Sequence, residues 1–198
     1  KKILVIEKDS HLVELLKKLD KKIDIIHGDV LKINENNLKN DILTVFGNLP
    51  YNISSEILCK WILNIQGKKF WFDYLVLMFQ KEVADRIISK FNTKNYGRLS
   101  ILTNWKLNIN KICDVKPSSF SPKPKVDSTI LLFRPKNNFY QLKDPKNLEK
   151  LTRVFFMHRR KMLKKPYHFL FNGNLNVANK LKINLNLRPQ NLNFETYY

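Results

Sequence analysis

Cysteine is scarce in this sequence, and long apolar runs are missing. The two cysteines, Cys59 and Cys113, stand far apart, and no histidine lies near either at metal-ligand spacing. This pattern argues against a disulfide framework and a zinc site, and it fits a reducing compartment. No apolar run approaches the roughly 20 residues of a membrane-spanning helix, and no signal-peptide pattern is present. We therefore expect a cytoplasmic protein that binds neither metal nor membrane.

Acidic residues are also few. Lysine and arginine total 36 against 17 acids, which gives the 198-residue chain a formal net charge of +19. Such an excess favours a polyanionic partner, above all nucleic acid. An acidic membrane surface, or a general bias towards lysine without a polyanionic partner, are the alternatives. The length suits one domain, or one domain with a small appendage.

Short apolar runs alternate with helical patterns over the first two thirds of the chain. The runs that predict strands cover residues 3–7, 23–26, 42–46 and 74–79, and the helical patterns cover 11–19, 53–65 and 80–89. Such alternation predicts an α/β fold, with a mainly parallel sheet and helices on its faces. After a predicted helix at 98–105, strands at 107–115 and 126–133 follow each other without a helix, which predicts an antiparallel end to the sheet.

The sequence pattern changes near residues 136–145. Strand-like runs disappear, and basic helical segments take over, beginning with a predicted helix at 148–163. We therefore expect two domains, an α/β domain over residues 1–138 and a helical domain over 139–198.

Polar residues follow the first three predicted strands. Glu7, Asp29 and Asn48 each stand at a carboxyl end, where open parallel sheets bind ligands. Glu7 could accept hydrogen bonds from a ribose, and Asp29 from an adenine amino group, so together they describe an adenosine pocket. The alternative is that they are solvated acids that end strands, which we expect for Asp41.

The motif Asn48-Leu49-Pro50-Tyr51 is more specific. Its simpler interpretation is a turn that ends a strand, in which proline fixes the backbone. Its functional interpretation is methyl transfer to an aromatic amine, a poor nucleophile because its lone pair is delocalised. The Asn48 side-chain oxygen and a backbone carbonyl beside Pro50 could accept both N–H groups and direct the lone pair at a methyl donor, while Tyr51 stacks on the base. The base would have to be unpaired or flipped out.

Seven ordered segments carry a resemblance to a known family. They are VIEKD at 5–9, HGDVL at 27–31, NLPYNISS at 48–55, QKEVADR at 80–86, YGRLS at 96–100, PSSFSPKPKVDS at 117–128 and FMHRRK at 156–161. The chain resembles the KsgA/Dim family of rRNA adenine N6,N6-dimethyltransferases along essentially its whole length. The resemblance implies a Rossmann-like class I methyltransferase sheet, a small C-terminal helical domain and S-adenosylmethionine as cofactor.

The resemblance also implies residue roles. Glu7 would bind the cofactor ribose, Asp29 with the backbone of Val30 its adenine, and Asn48 would border the cofactor as well as the target. Residues 48–51 would hold the target amine, and Phe120 would flank the base opposite Tyr51, unless Phe120 is a core residue. The implied substrate is a pair of adjacent adenines near the 3′ end of small-subunit (16S) rRNA, modified by a monomer acting on the immature subunit.

The basic tail has its own prediction. Six residues crowd a segment that the pattern predicts to be one helix and that resembles the family's RNA-facing segment: Arg153, Arg159, Arg160, Lys161, Lys164 and Lys165. We expect them to contact phosphates, which positions RNA without reading its sequence. A solvated helix face above a packed apolar stripe is the alternative.

The family pattern includes an N-terminal strand and a Gly-rich loop that this sequence, with five glycines, does not show. We therefore expect the sheet to lack its first strand and the chain to be part of a longer protein. Three alternatives stay open: an Erm-type large-subunit rRNA methyltransferase, a non-catalytic RNA-binding assembly factor, and a methyltransferase acting on protein glutamine or DNA adenine.

Overall fold

A computed structural model divides the chain into two compact units, Lys1–Asp41 and Ile42–Tyr198. It describes residues 2–38 and 42–198, so Asp41, the acid expected to be solvated, lies outside the described residues.

The first unit is a two-stranded parallel sheet with one helix. Strands β1 (Ile3–Glu7) and β2 (Ile23–His27) pair in parallel, and helix α1 (Ser10–Leu19) connects them. The Asp9 carboxylate begins α1 by accepting the N–H groups of His11 and Leu12 at 2.8 and 3.3 Å, the hydrogen bonds of an N-cap. The predicted strand–helix–strand pattern is confirmed, with Glu7 opposite His27 at one end.

The second unit contains a four-stranded mixed sheet. Its elements follow the chain as β3 (Leu43–Asn48), α2 (Ser54–Leu63), β4 (Phe72–Gln80), α3 (Lys81–Ile87), α4 (Arg98–Lys106), β5 (Leu107–Val115) and β6 (Ser128–Pro135). The strand order is β3-β4-β6-β5; β3 and β4 are parallel, and β6 runs antiparallel to both neighbours. The antiparallel end is confirmed. A mainly parallel sheet is not seen, since two of the four strand pairings in the described chain are antiparallel.

The strands β1 and β3 share no neighbour among the described residues. β1 pairs with β2, and β3 is an edge strand that pairs with β4. In residues 2–38 and 42–198, these strands therefore belong to two separate sheets, one of two strands and one of four.

The core of the second unit lies between α2 and the sheet. Ile57, Leu58 and Ile62 of α2 are fully buried, as are Leu75 and Leu77 of β4. Side chains alternate between the two faces along a strand, so Leu75 and Leu77 lie on the same face of the sheet.

A buried lysine holds the carboxyl end of α2. The Lys106 ammonium donates to the carbonyl of Ile65 at 2.8 Å and lies 4.0 Å from the centre of the Trp105 ring. Burial lowers the pKa of Lys106 to about 8. Since α2 starts three residues after Tyr51, this contact helps to fix the segment that follows the Asn48 motif.

In the described residues after β6, the regular elements are all helices, and they are joined by turns and loops. Helices α5 (Pro145–Met157), α6 (Lys164–Phe171), α7 (Asn176–Lys180) and α8 (Phe194–Tyr197) follow one another. No helix in residues 2–38 or 42–198 is long and apolar enough to cross a membrane. A domain boundary after residue 138 stays a prediction.

The predicted single helix over 148–163 is wrong. Helix α5 ends at Met157, and α6 begins at Lys164. The amides of Leu163 and Lys164 donate to the carbonyls of Leu187 and Leu185, at 2.8 and 3.0 Å. These amides are therefore not available to continue α5, and the basic residues between the helices lie in a turn.

Candidate active site

Glu7 ends β1 with its carboxylate folded over the next turn. One of its oxygens, Oε1, accepts the N–H groups of Lys8 and Asp9 at 2.7 and 2.8 Å. Its backbone carbonyl accepts the N–H of Gly28 at 2.8 Å. The second carboxylate oxygen makes no hydrogen bond with a described residue, so it is placed to accept one from a ligand.

Asp29 lies just beyond the carboxyl end of β2, two residues after the partner of Glu7. Its Oδ1 accepts the N–H of Leu31 at 3.0 Å, and its Oδ2 accepts the Lys8 ammonium at 3.0 Å. The Leu31 amide, followed by the Lys8 ammonium, lowers the pKa of Asp29 below its usual value. The predicted adenosine residues Glu7 and Asp29, followed by Val30, thus share one end of the parallel pair.

The Lys8 contact was not foreseen from the sequence. Its ammonium occupies the Asp29 oxygen that an adenine amino group would need. The Lys8 side chain is 75 % exposed, whereas that of Asp29 is 21 % exposed. A ligand amine could therefore replace the ammonium at little cost, because an exposed ion pair contributes little stability.

In the second unit, the Asn48 motif forms a turn between β3 and α2. Asn48 is the last residue of β3, opposite Met78 of β4, and it is exposed. The Pro50 carbonyl accepts the N–H of Ile53 at 3.1 Å, and the Tyr51 carbonyl accepts the Ser54 hydroxyl at 3.2 Å. The turn that the simpler interpretation predicts is therefore present. A role of the motif in methyl transfer has to be compatible with this turn.

Two acceptors in this turn are not used internally. Neither the Asn48 side chain nor the Leu49 carbonyl makes a hydrogen bond with any residue that the structure describes. The Pro50 carbonyl is used by Ile53, so the Leu49 carbonyl is the backbone acceptor beside the proline that a ligand could reach.

Gly47 allows the close approach that holds this turn in place. A Cβ atom at this position would lie 2.7 Å from Leu77 Cδ2 and 3.0 Å from Leu49 Cδ2. A larger residue would therefore push Leu49 or the buried Leu77 aside, immediately before Asn48. Gly47 had no predicted role.

Tyr51 is anchored by a residue far away in the sequence. Its hydroxyl lies 2.5 Å from the Oγ of Ser128, the fully buried first residue of β6. The sequence analysis quoted Ser128 in a motif but gave it no role, since nothing local indicates a contact across 77 positions.

Phe120 follows a single turn of 3-10 helix, Pro117–Ser119, and its N–H donates to the Pro117 carbonyl at 3.2 Å. Its side chain is half-buried, which separates it from the fully buried core. Its predicted place opposite Tyr51 stays a prediction. The loop that continues from it exposes Lys123 and Lys125.

The predicted RNA-binding residues differ in their surroundings. Arg153 lies on α5, Arg160 and Lys161 lie in the turn after α5, and all three are exposed, as are Lys164 and Lys165 at the start of α6. Arg159 is half-buried instead. Its guanidinium donates to the carbonyls of Lys94 and Tyr96 at 2.7 and 3.0 Å, and to Gln190 Oε1 at 3.1 Å. Arg159 therefore joins separate segments of the unit.

Metal ligation finds no support in this arrangement. Residues 2–38 and 42–198 contain no group of three or more histidine, cysteine or acidic side chains that could hold a metal ion. Burial raises the pKa of the Cys59 thiol to about 11, which makes Cys59 a poor nucleophile at neutral pH.

Comparisons with known proteins agree with this fold. A solved structure of a dimethyladenosine transferase from Plasmodium falciparum matches 99% of this chain and 79% of its own, with a TM-score of 0.76 and 26% identity. A solved structure of the 23S rRNA methyltransferase ErmE matches with a TM-score of 0.65 at 17% identity, over 99% of this chain and 79% of its own. The second likeness supports the fold alone. The predicted α/β methyltransferase fold class is confirmed.

Proteins that are similar in sequence identify the family. The ribosomal RNA small subunit methyltransferase A of Pelagibacter ubique is 64% identical over 199 residues, which cover all of this chain and 76% of the relative. The model of the family described as ribosomal RNA adenine dimethylase matches residues 1–198. The resemblance seen in the sequence motifs is thus confirmed, and this chain belongs to the ribosomal RNA adenine dimethylase family.

Proposed function

We propose that this protein transfers methyl groups from S-adenosylmethionine to the N6 atoms of two adjacent adenines near the 3′ end of small-subunit rRNA. The observation that carries the proposal is the turn after β3, which leaves two oxygen acceptors unused beside an anchored tyrosine. The small-subunit assignment draws on the name of the relative that is 64% identical.

The turn suits a planar amine because such a group offers two N–H donors. The Asn48 side-chain oxygen and the Leu49 carbonyl would accept them, and the Tyr51 ring would stack on the base. Accepting both hydrogens draws the nitrogen towards a tetrahedral shape and restores its lone pair as a nucleophile for a methyl donor. This is catalysis by position and electrostatics, which needs no strong general base.

The cofactor would use the end of the parallel pair in the first unit. The oxygen of Glu7 that its own backbone leaves unused would accept a ribose hydroxyl. Asp29 would accept the adenine amino group in place of the Lys8 ammonium, and the backbone of Val30 would serve a ring nitrogen. When bound there, S-adenosylmethionine would supply an electrophilic methyl group to the amine nitrogen, which would give up a proton in exchange.

RNA would be held by the exposed basic residues of α5, of the turn after it and of the start of α6. Residues 150–194 contain ten lysines and arginines and no acid. Arg153, Arg160, Lys161, Lys164 and Lys165 are exposed within this stretch. They suit phosphate contacts that position the substrate. Arg159 supports this surface through its contacts within the unit, and we assign it no phosphate.

The experiment that tests the function compares two substrates. The complete gene product that contains this chain is incubated with methyl-labelled S-adenosylmethionine and either immature small subunits or large-subunit rRNA. We expect label in the small-subunit RNA alone. Label only in large-subunit RNA would overturn the substrate, and label in neither would favour a non-catalytic assembly factor. A cytoplasmic monomer belongs to the same proposal, and its mass in solution checks the oligomeric part.

A further inference from the structure

Tyr51 and Ser128 form a hydrogen bond that no turn or strand of this fold requires. The two hydroxyl oxygens lie 2.5 Å apart, although the residues are 77 positions apart. Ser128 is fully buried and Tyr51 is half-buried. A hydroxyl buried in this way needs a partner, because an unpaired buried polar group is costly. Each of these two hydroxyls finds a partner in the other.

Ser128 itself is held firmly by the sheet. As the first residue of β6, it lies opposite Gln80 of β4 and Val115 of β5. The next residue, Thr129, donates its hydroxyl to the Asp114 carboxylate at 2.6 Å. Lys111 reaches the other oxygen of Asp114 at 2.7 Å. The backbone that carries the Ser128 hydroxyl is therefore held by a neighbouring strand on each side.

The contact restricts the Tyr51 ring at its tip. The phenolic oxygen lies on the long axis of the ring, so anchoring it fixes where that axis points. The base of the same side chain is fixed by the turn, in which the Tyr51 carbonyl accepts the Ser54 hydroxyl. A ring held at both ends stacks on a planar ligand without first losing conformational freedom.

Ser128 also ends the loop that carries Phe120. That loop leaves the turn at Pro117–Ser119 and rejoins the sheet at Ser128. The Asp127 carbonyl, one residue earlier, accepts the N–H of Lys81 at 2.9 Å. The Ser128 side chain thus contacts Tyr51, while the backbone of the preceding residue, Asp127, holds the end of the Phe120 loop against Lys81.

We propose that Ser128 is a positioning residue of the acceptor site, whose hydroxyl holds the Tyr51 ring in the orientation that stacks on the target adenine. This inference rests on the proposed function, in which Tyr51 contacts the base. Ser128 touches no substrate atom and acts through Tyr51 alone. Its loss should therefore weaken the stacked state and slow methyl transfer while leaving phosphate contacts intact.

The test uses the complete gene product and a hairpin RNA in which 2-aminopurine replaces the target adenine. Stacking on the tyrosine ring quenches the fluorescence of the bound base. We expect full quenching with the natural protein, partial and equal loss of quenching in Ser128→Ala and Tyr51→Phe, and the largest loss in Tyr51→Ala. The double variant Ser128→Ala/Tyr51→Phe should resemble either single variant, because both remove the same hydrogen bond.

Methylation of the unmodified hairpin gives a second readout. One neutral hydrogen bond corresponds to about a 3- to 10-fold loss in kcat for Ser128→Ala. The KM for RNA should stay within about twofold, since the phosphate contacts that hold the RNA are intact. Ser128→Thr keeps the hydroxyl and should recover most of the loss. Thermal unfolding of each variant identifies any that fails to fold.

The possible results distinguish the positioning role of Ser128 from the proposed methyl transfer. Natural quenching in Ser128→Ala, or additive losses in the double variant, would overturn the role of Ser128 while leaving methyl transfer in place. No quenching with the natural protein would overturn it too, because no base would then stack on Tyr51. Absence of methylation by the natural protein, with quenching intact, would contradict the function and leave the positioning role standing.

Discussion

The two parts of the proposed active site are organised over different distances in the sequence. At the ends of β1 and β2, Glu7 and Asp29 make side-chain contacts to Lys8, Asp9 and Leu31, which follow directly after the two strands. In the turn after β3, the position of Tyr51 depends on Ser128, 77 residues later. The first part is organised locally, and the second part needs the four-stranded sheet.

This difference corresponds to two ways in which a binding site can be organised before its ligand binds. The local contacts of the first unit orient its carboxylates, and a ligand has to replace the Lys8 ammonium on Asp29. The turn of the second unit presents acceptors that make no hydrogen bond within the described part of the chain, and distant contacts hold the turn in place. Such unused acceptors are costly unless they are exposed or bind a ligand, and Asn48 is exposed.

The largest effect should follow from removing the unused side-chain acceptor. In Asn48→Ala, we expect methyl transfer to fall by about 100-fold or more, the loss typical of removing one preorganised polar group. RNA affinity should change less than about twofold, because the lysines and arginines of the tail supply it. Single-turnover kinetics and filter binding measure the two quantities.

Asn110→Ala is the matched control, since Asn110 is an exposed asparagine on β5 of the same sheet. It should retain natural activity. Activity in Asn48→Ala within threefold of the natural protein would remove the turn from the mechanism.

A smaller loss should follow from changing the locally organised part. Glu7→Ala removes a charged acceptor, so the Kd for S-adenosylmethionine should rise by about 10- to 100-fold. Calorimetry on the complete gene product measures this change. The control Glu14→Gln alters an exposed acid on α1 that pairs with Lys17, and it should bind normally. Equal affinity in both variants would mean that Glu7 does not touch the cofactor.

Two neighbouring arginines in the basic tail, Arg159 and Arg160, should respond differently to substitution. Arg160→Gln removes an exposed charge, so RNA binding should weaken a few-fold, and the slope of log K against log salt should fall by about 0.7–0.9. Arg159→Gln breaks three hydrogen bonds to distant segments and should lower the free energy of unfolding by about 1–3 kcal/mol. Salt titrations and urea unfolding of both variants measure the contrast. The assignment would be reversed if Arg160→Gln lost stability and Arg159→Gln kept it.

The smallest effect concerns pH. The pKa of Asp29 is lowered in the folded state. Its hydrogen bonds are therefore fully formed when the pH is above the usual aspartate pKa, and they are lost as the pH falls through the folded pKa. The Leu31 amide should therefore shift in NMR spectra with a midpoint below the usual aspartate pKa of about 3.9. In Asp29→Asn this transition should vanish. A midpoint above the usual value would show that the Leu31 and Lys8 contacts do not form.

Local patterns were enough to predict the first unit and most strands. Residues 107–115 form β5 with the predicted bounds, and Glu7 and Asp29 lie at one strand end as expected. The helix over 148–163 was wrong because the amides of Leu163 and Lys164 bond to residues about 20 positions later. Periodicity cannot register such a contact.

The roles that sequence reasoning missed share the same cause. Ser128, Gly47 and the structural part of Arg159 are defined by contacts with distant segments, to Tyr51, Leu77 and Tyr96. The proximity of Gly47 to Asn48 was the only local signal among them. Contacts of this kind depend on strand order, which the motifs did not determine.

The most direct test of the central claim is the identity of the modified nucleosides. Immature small subunits are incubated with S-adenosylmethionine and the complete gene product, and nuclease fragments of the rRNA are analysed by mass spectrometry. The account predicts N6,N6-dimethyladenosine at two adjacent positions near the 3′ end, and its loss in Asn48→Ala. Monomethylation elsewhere, or the same dimethylation with Asn48→Ala, would contradict it.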